Sequence, residues 1–229
     1  MYIDYKKYPL PKRLRHHTAP NLYFRADELS EMPNYYPPLI DKADWSLLYP
    51  NGLAPSILDI GCGKGSFLIE TALLNKDKNV LGLELRKPTV DWAVNYARSE
   101  NINNCSAIWY SVVNGLDFID NSSIDEAFYL FPDPWPKRKH LKRRAYNLSF
   151  LKDLFRVLRP GGRLCLASDM LEVHDYHLTM AREFAGFKIE LIDSDNKWPY
   201  PVTNKERFCR LNNIEFFRLI LTKPEISGM

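Results

Sequence analysis

Asp133 stands between two prolines in FPDPWPKRKHLKRR, residues 131–144, and the stretch then carries six Lys or Arg and one His in the eight positions from Lys137 to Arg144. Proline fixes φ and biases its predecessor away from helix, so Pro132, Pro134 and Pro136 should hold that carboxylate on a stiff loop. An ionised carboxylate can only accept hydrogen bonds, whereas Lys137, Arg138, Lys139, Lys142, Arg143 and Arg144 can attract anions. A charge run taken alone is equally a solvated loop or a protein-docking patch. The rigid acid beside it is what asks for a chemical explanation.

A second constellation lies upstream. ILDIGCGKGS puts Asp59 at the end of an apolar run and Gly61, Gly63 and Gly65 at alternate positions ahead of a helical pattern. Glycines permit a tight turn and clear Cβ atoms from a ligand's path, and the helix that follows presents unpaired N–H groups. The spacing is D-x-G-x-G-x-G. A dinucleotide site would read G-x-G-x-x-G, and no G-x-x-x-x-G-K-[ST] phosphate loop is present. Further on, LGLELRKP places Glu84 at the tip of a strand with Arg86 beside it, where a carboxylate can accept both hydroxyls of a ribose at the switch point of an open sheet.

The elements needed to position these groups are visible as periodicities. SILDI, NVLGLEL, CSAIWY, EAFYLF and GRLCLAS are short apolar runs rich in β-formers, separated by segments with helical spacing. Strands alternating with helices predict an α/β fold: a mostly parallel, doubly wound sheet with helices on both faces. GSFLIETALLN, KPTVDWAVNYARSE with Pro88 in its opening turn, and NLSFLKDLFRVLRPGG with a Pro-Gly-Gly stop read as helices. FKIELID and IEFFRLILT read as a C-terminal antiparallel pair closing one edge. Residues 1–50, rich in Pro and Tyr and without sustained period, read as an N-terminal arm ordered only where it docks, and residues 51–229 as the domain.

Bulk properties narrow the rest. A chain of 229 residues, 45% apolar and 26% charged, is globular and large enough to bury a core without staples. The net charge of +3 does not imply nucleic acid, so the distribution of charge carries that argument. A second basic group, Lys12, Arg13, Arg15, His16 and His17, sits near the N-terminus. Cys62, Cys105, Cys165 and Cys209 form no C-x-x-C pair, which fits reduced thiols in a cytoplasm. No apolar leader and no run of about 20 apolar residues appears, so a soluble cytoplasmic protein is expected. His174 and His177 share a helical face, but no carboxylate or thiol supports them as metal ligands, and no metal is expected.

The glycine loop and Glu84 together resemble motifs I and II of Rossmann-like methyltransferases, which implies S-adenosylmethionine as cofactor. FPDPWPKRKHLKRR closely resembles the signature of the tRNA (guanine-N7-)-methyltransferases, and DIGCGKGSFLIETA, LGLELRKP, the strand ending LASD and TNKER in the T-x-x-E position extend that resemblance over about residues 45–221. It implies methyl transfer to N7 of a guanine in tRNA, with Asp133 catalytic and at the cofactor. It also implies that Lys137, Asp169, Thr203 and Glu206 line the substrate site. A turn and a helix cap are the structural alternatives for Thr203 and Glu206. Physical chemistry gives the signature a reason: Asp133 can accept from guanine N1–H and its exocyclic amine, while the cations hold phosphates without reading sequence. Trp135 reads equally as a base-stacking platform or a core anchor.

The sequence departs from the family at its third strand, which usually ends in Asp or Asn at the adenine end of the cofactor. CSAIWYSVVNGLDF offers Tyr110 and Ser111 there, and Asn114-Gly115 slightly beyond; Asn114 is the favoured contact. The N-terminal arm matches the family poorly. Alternative functions are a methyltransferase for another RNA, a protein or a small molecule, or a non-catalytic RNA-binding protein that keeps the fold. Tyrosine-rich arm and all, the chain is expected as a monomer or homodimer.

Overall fold

The computed structural model describes residues 3–12 and 19–225, with the backbone alone at Arg138. Arg13, Arg15, His16 and His17 of the N-terminal basic group lie outside the described residues, and Lys12 is exposed. Seven strands form one sheet: β1 (Ile57–Ile60), β2 (Val80–Glu84), β3 (Cys105–Trp109), β4 (Ile124–Leu130), β5 (Leu158–Ser168), β6 (Lys188–Ile192) and β7 (Phe217–Thr222). Their spatial order is β3-β2-β1-β4-β5-β7-β6. β1 to β5 pair in parallel, and β7 runs antiparallel to both β5 and β6.

The helices are α1 (Ser66–Leu74), α2 (Lys87–Ser99), α3 (Leu148–Val157), α4 (Leu171–Phe184) and α5 (Asn204–Leu211). Each of β1 and β2 is buried along its whole length, which is why they read as unbroken apolar runs rather than alternating ones. Neighbouring residues of one strand enter different cores. Leu58, Leu81 and Leu164 pack with Phe150, Leu154 and Ala181 of α3 and α4, while Ile57, Val80 and Phe128 pack with Leu68 of α1 and Val90 and Tyr96 of α2. The two clusters lie on opposite faces of the sheet, and the strand tips between them are where a crevice opens.

The sequence reading holds for the five parallel strands and for α1, α2 and α3. The C-terminal part needs one refinement: β6 and β7 do pair antiparallel, but β7 is inserted between β5 and β6, so β6 is the outer edge. The eight-residue α5 lies between them. Arg-Pro-Gly-Gly at 159–162 is also no separate stop, because α3 ends at Val157 and β5 begins at Leu158 with no intervening loop. Pro160 disfavours helix at Arg159. A side chain at Gly162 would strike the carbonyls of Arg159 at 2.8 Å and Ile124 at 3.0 Å, so the strand passes its register shift against β4 only with glycine there.

The arm has only short 3-10 turns, Pro20–Tyr23, Ala26–Glu28 and Trp45–Leu47, but it is packed. Ile3, Leu22, Tyr23, Tyr36 and Tyr49 are buried, and Tyr8 stands edge-on to Tyr96 of α2 at 4.8 Å. All four cysteines are free and buried. His174 and His177 both sit on α4, where His177 packs 4.3 Å from Tyr146 and burial, with the nearby charges of His174 and Arg144, lowers its pKa to about 3. No described helix is long and apolar enough to cross a membrane.

Candidate active-site crevice

After β1 the chain passes Gly61, Gly63 and Gly65, all at positive φ, into α1. The three do different work. A Cβ at Gly61 would meet nothing within 4 Å, because it would project into the crevice; at Gly65 it would strike Cβ of Ala93 at 2.9 Å. Gly65 therefore lets the start of α1 lie against α2 and is not a lining residue. Gly63 donates its N–H to Glu84 Oε2 at 2.8 Å, which ties the loop to the tip of β2.

Glu84 is the pivot of this wall. Its Oε1 accepts from the backbone N–H and the Nε of Arg86, both at 2.9 Å, so a buried carboxylate and a half-buried guanidinium form one unit. Burial would lower the Arg86 pKa, but the hydrogen bond to Glu84 and the charges of Glu84 and Asp133 outweigh it, and Arg86 stays firmly cationic. Beneath them Asp59 is 3% exposed, and its Oδ2 has no hydrogen-bond partner among the described residues. Burial first, and the charge of Glu84 second, push its carboxyl up to about 8.

The facing wall is the proline loop. Phe131 (φ 51) and Trp135 (φ 42) hold left-handed backbone that costs about 1–3 kcal/mol each for a bulky side chain, so tertiary contacts must impose it. One of these is Arg144, which donates from Nε to the Pro134 carbonyl at 2.9 Å and from Nη2 to Glu172 of α4 at 2.9 Å, with its guanidinium 4.7 Å over Tyr176. Arg143 lies over the Trp135 ring at 4.8 Å. Asp133 Oδ2 accepts from the hydroxyl of Tyr23, delivered by the arm. An open crevice of about 850 Å³ results, lined among others by Gly61, Glu84, Arg86, Asp133, Trp135 and Arg143.

Of the residues singled out from sequence, the crevice thus gathers Gly61, Glu84, Arg86, Asp133 and Arg143, with Gly63 and Asp59 just behind the wall. Lys137, Lys139 and Lys142 are exposed at the start of and along the two-turn 3-10 helix Arg138–Arg143 beside it, with Lys142 Nζ 5.1 Å over the Phe24 ring. Arg144 is corrected: its side chain is 5% exposed and fully engaged in holding the loop, so it is no phosphate contact. Asn114 is corrected as well. Its amide oxygen accepts from Ala26 N–H at 2.9 Å and its amide nitrogen donates to the Tyr36 hydroxyl at 2.9 Å, so it fastens the arm. Gly115 ends that turn at φ 88 outside the crevice. Tyr110 and Ser111, weighed beside Asn114 and not preferred, line the crevice at the end of the third strand, and Ser111 Oγ donates to the Leu22 carbonyl of the arm.

The remaining three stand apart from the crevice lining. Asp169, after β5, pairs with Lys205 at 2.7 Å. Thr203 caps α5 by accepting from the Glu206 N–H at 3.0 Å, and the carboxylate of Glu206, 2% exposed, binds Arg210 and Arg218. Neither structural alternative is met as stated: Thr203, read as a turn, is the helix cap, and Glu206, read as a cap, is the buried acceptor for Arg210 and Arg218. Sequence reasoning missed Tyr23 altogether: it lies 110 residues from its partner in a segment without periodicity.

Residues 53–219 match the family model Methyltransf_4, described as "Putative methyltransferase". The chain is 34% identical over 174 residues to a tRNA (guanine-N(7)-)-methyltransferase of Thermosynechococcus vestitus, covering 76% of this chain and 82% of that protein. It is 32% identical over 189 residues to a protein of the same name from Prochlorococcus marinus, covering 79% and 88%. Among solved structures it resembles the 16S rRNA methyltransferase KamB, with TM-score 0.55 and 16% identity over 80% of this chain and 94% of that one. The aminoglycoside resistance methyltransferase NpmB1 gives TM-score 0.54 and 19% identity over 77% and 88%. At these identities the two structures speak for the fold alone.

Proposed function

The chain belongs to the tRNA (guanine-N7-)-methyltransferase family, and on that premise we propose how its crevice carries out the family's reaction. The reaction is transfer of a methyl group from S-adenosylmethionine to N7 of a guanine in tRNA, leaving S-adenosylhomocysteine. The observation that carries the assignment of roles is the placement of Asp133 across one crevice from Glu84, with exposed lysines at its rim.

The residues present fit S-adenosylmethionine. Gly61 leaves open the space that a Cβ would fill, Glu84 offers a carboxylate at a strand tip, and the buried Asp59 Oδ2 lacks a partner among the described residues. The cofactor supplies an electrophilic methyl on a sulfonium. Glu84 would accept the ribose hydroxyls, Arg86 braces Glu84, and the strand end at Tyr110 and Ser111 lines the crevice where the adenine end would lie.

N7 of guanine has an in-plane lone pair and carries no proton at neutral pH, so its attack needs no strong base. Alignment is the chief contribution, worth about 7–11 kcal/mol when two reactants are held in line at near-attack distance. Asp133 accepts from N1–H and the exocyclic amine, fixes the base in the crevice and offsets the positive charge that grows on the purine. Lys137, Lys139 and Lys142 hold phosphates, together with Arg138; Arg143, stacked on Trp135, works inside the crevice and not along the RNA backbone.

Residues 51–229 carry the catalytic fold and residues 1–50 serve it as an arm. The protein acts in the cytoplasm as a monomer or homodimer. The experiment that tests the function incubates the protein with methyl-labelled S-adenosylmethionine and tRNA, then digests the RNA to nucleosides. Label recovered as 7-methylguanosine is expected. Label in another nucleoside or in protein would overturn the assignment, and RNA retention without methyl transfer would leave a binding protein on a methyltransferase fold.

A further inference from the structure

Tyr23 reaches Asp133 from the N-terminal arm, 110 residues away in the chain. It closes the 3-10 turn Pro20–Tyr23, donates its hydroxyl to Asp133 Oδ2, and sets its ring edge-on to Trp135 with centroids 4.7 Å apart. The residue is only 9% exposed. Three contacts fasten the arm around it. Ser111 Oγ donates to the Leu22 carbonyl at 2.8 Å, Ala26 N–H to Asn114 Oδ1 at 2.9 Å, and the Tyr36 hydroxyl to the Phe24 carbonyl at 2.7 Å.

A flat aromatic ring that donates to Asp133 and packs on Trp135 has the attributes a guanine would present at the same carboxylate. The two cannot share the space. We propose that Tyr23 fills the seat of the target guanine, and that the arm around residues 19–26 withdraws when the base enters. This rests on Asp133 being the guanine acceptor. Guanine brings two donors, N1–H and the amine, where Tyr23 brings one, so the exchange favours the base once it arrives. Lys142 couples the exchange to RNA: its ammonium lies over Phe24, next to Tyr23 in sequence, and a phosphate that draws Lys142 away removes one of the arm's supports. A tRNA therefore opens its own seat, whereas a lone nucleoside must wait for the arm to leave.

A seat that is closed most of the time lowers apparent affinity by the open fraction. Tyr23→Phe keeps the ring and deletes the bond to the carboxylate, so KM for tRNA should fall about ten- to a hundredfold, the scale of losing one hydrogen bond to a charged group, while kcat changes by less than about twofold. Hydrogen exchange in the full-length protein supplies a second reading: tRNA should speed exchange in peptides spanning residues 22–26, and S-adenosylmethionine alone should not. A raised KM with a lowered kcat in Tyr23→Phe, or slower exchange in the arm on tRNA binding, would make Tyr23 part of the closed catalytic site and overturn the proposal. Asp133→Asn measured in parallel separates the two ideas. Normal turnover there removes the role of Asp133, whereas lost turnover there with unchanged KM in Tyr23→Phe removes only the claim on the seat.

Discussion

The wall of the crevice on the tips of β1, β2 and β3 draws its groups from residues 59–65, 83–86 and 110–111, whereas the wall facing it draws on Tyr23, Asp133, Arg143 and, behind them, Arg144 and Glu172. The first wall is set by strand pairing: Asp59 lies opposite Gly82 and Ile60 opposite Leu83, so two neighbouring strand tips fix the glycine loop against Glu84. The second is assembled from a loop, an arm and a helix that meet only in the folded chain. One wall is an outgrowth of the sheet; the other is a set of tertiary contacts, and should be the more adjustable of the two.

The largest test of that contrast is Asp133→Asn. An amide has one acceptor and two donors, so it cannot take both guanine donors and carries no charge. Turnover should fall by about 100- to 1,000-fold with tRNA affinity within a few-fold, the scale of losing a preorganised electrostatic contact. Single-turnover methylation at the wild-type rate would reduce the proline loop to a structural element and erase the distinction.

Next in size is the pH dependence of the sheet-bound wall. The Asp59 carboxyl titrates at about 8 in the folded protein, pushed up by burial and by Glu84. A carboxyl whose folded pKa is raised keeps its proton where the unfolded chain has lost it. Its contribution is therefore complete below about pH 4 and is lost as pH rises towards 8, at up to about 1.4 kcal/mol per pH unit. Chemical denaturation of the wild type and Asp59→Asn across pH 4–9 should show the variant gaining on the wild type through that window and not beyond it. Parallel curves would mean that Asp59 is ionised in the fold.

Within the glycine loop, Gly65→Ala should cost about 2–4 kcal/mol of stability, because left-handed backbone and a 2.9 Å approach to Ala93 add together. Gly61→Ala should cost about 1–2 kcal/mol, the strain alone, yet weaken S-adenosylmethionine binding more, as calorimetry can establish. Equal effects on affinity would place both glycines on the ligand. The smallest effects divide the cationic run. Arg144→Ala should lower stability by about 1–3 kcal/mol and leave the salt dependence of tRNA binding alone. Replacing Lys137, Lys139 and Lys142 by Ala should spare stability and flatten the log–log salt slope by up to about 0.7–0.9 per lost contact. A flattened slope in Arg144→Ala would mean that its bonds to Pro134 and Glu172 are given up to RNA.

The two walls also differ in how far they could be read from sequence. Periodicity and glycine spacing are local signals, so β1 to β5, the loop after β1 and Glu84 could be placed without coordinates. Arg143 and Arg144 show the limit. They are adjacent and identical in type, yet one stacks on Trp135 inside the crevice and the other is spent on the Pro134 carbonyl and Glu172. No local pattern separates them, since the difference lies in which side faces α4. Asn114 looked like a cofactor ligand because its type and position suited one, but its amide is satisfied by Ala26 and Tyr36 of the arm. The TNKER segment, read for its family role, also caps α5 through Thr203 and sets the buried Glu206 against Arg210 and Arg218, contacts that no spacing announces. Tyr23 had no signal, because an irregular arm records its docking point in shape alone.

β7 is made after every other strand of the sheet but is not at the sheet's margin; it lies between β5 and β6. During synthesis β5 can pair with β4 while its other side waits for residues 217–222, and β6 has no neighbour at all until they arrive. An unpaired strand flank is sticky towards other chains. A ribosome stalled or a message cut shortly before Phe217 would therefore release not a slightly shortened enzyme but a half-sheet with an open seam, a product for chaperones and proteases to clear.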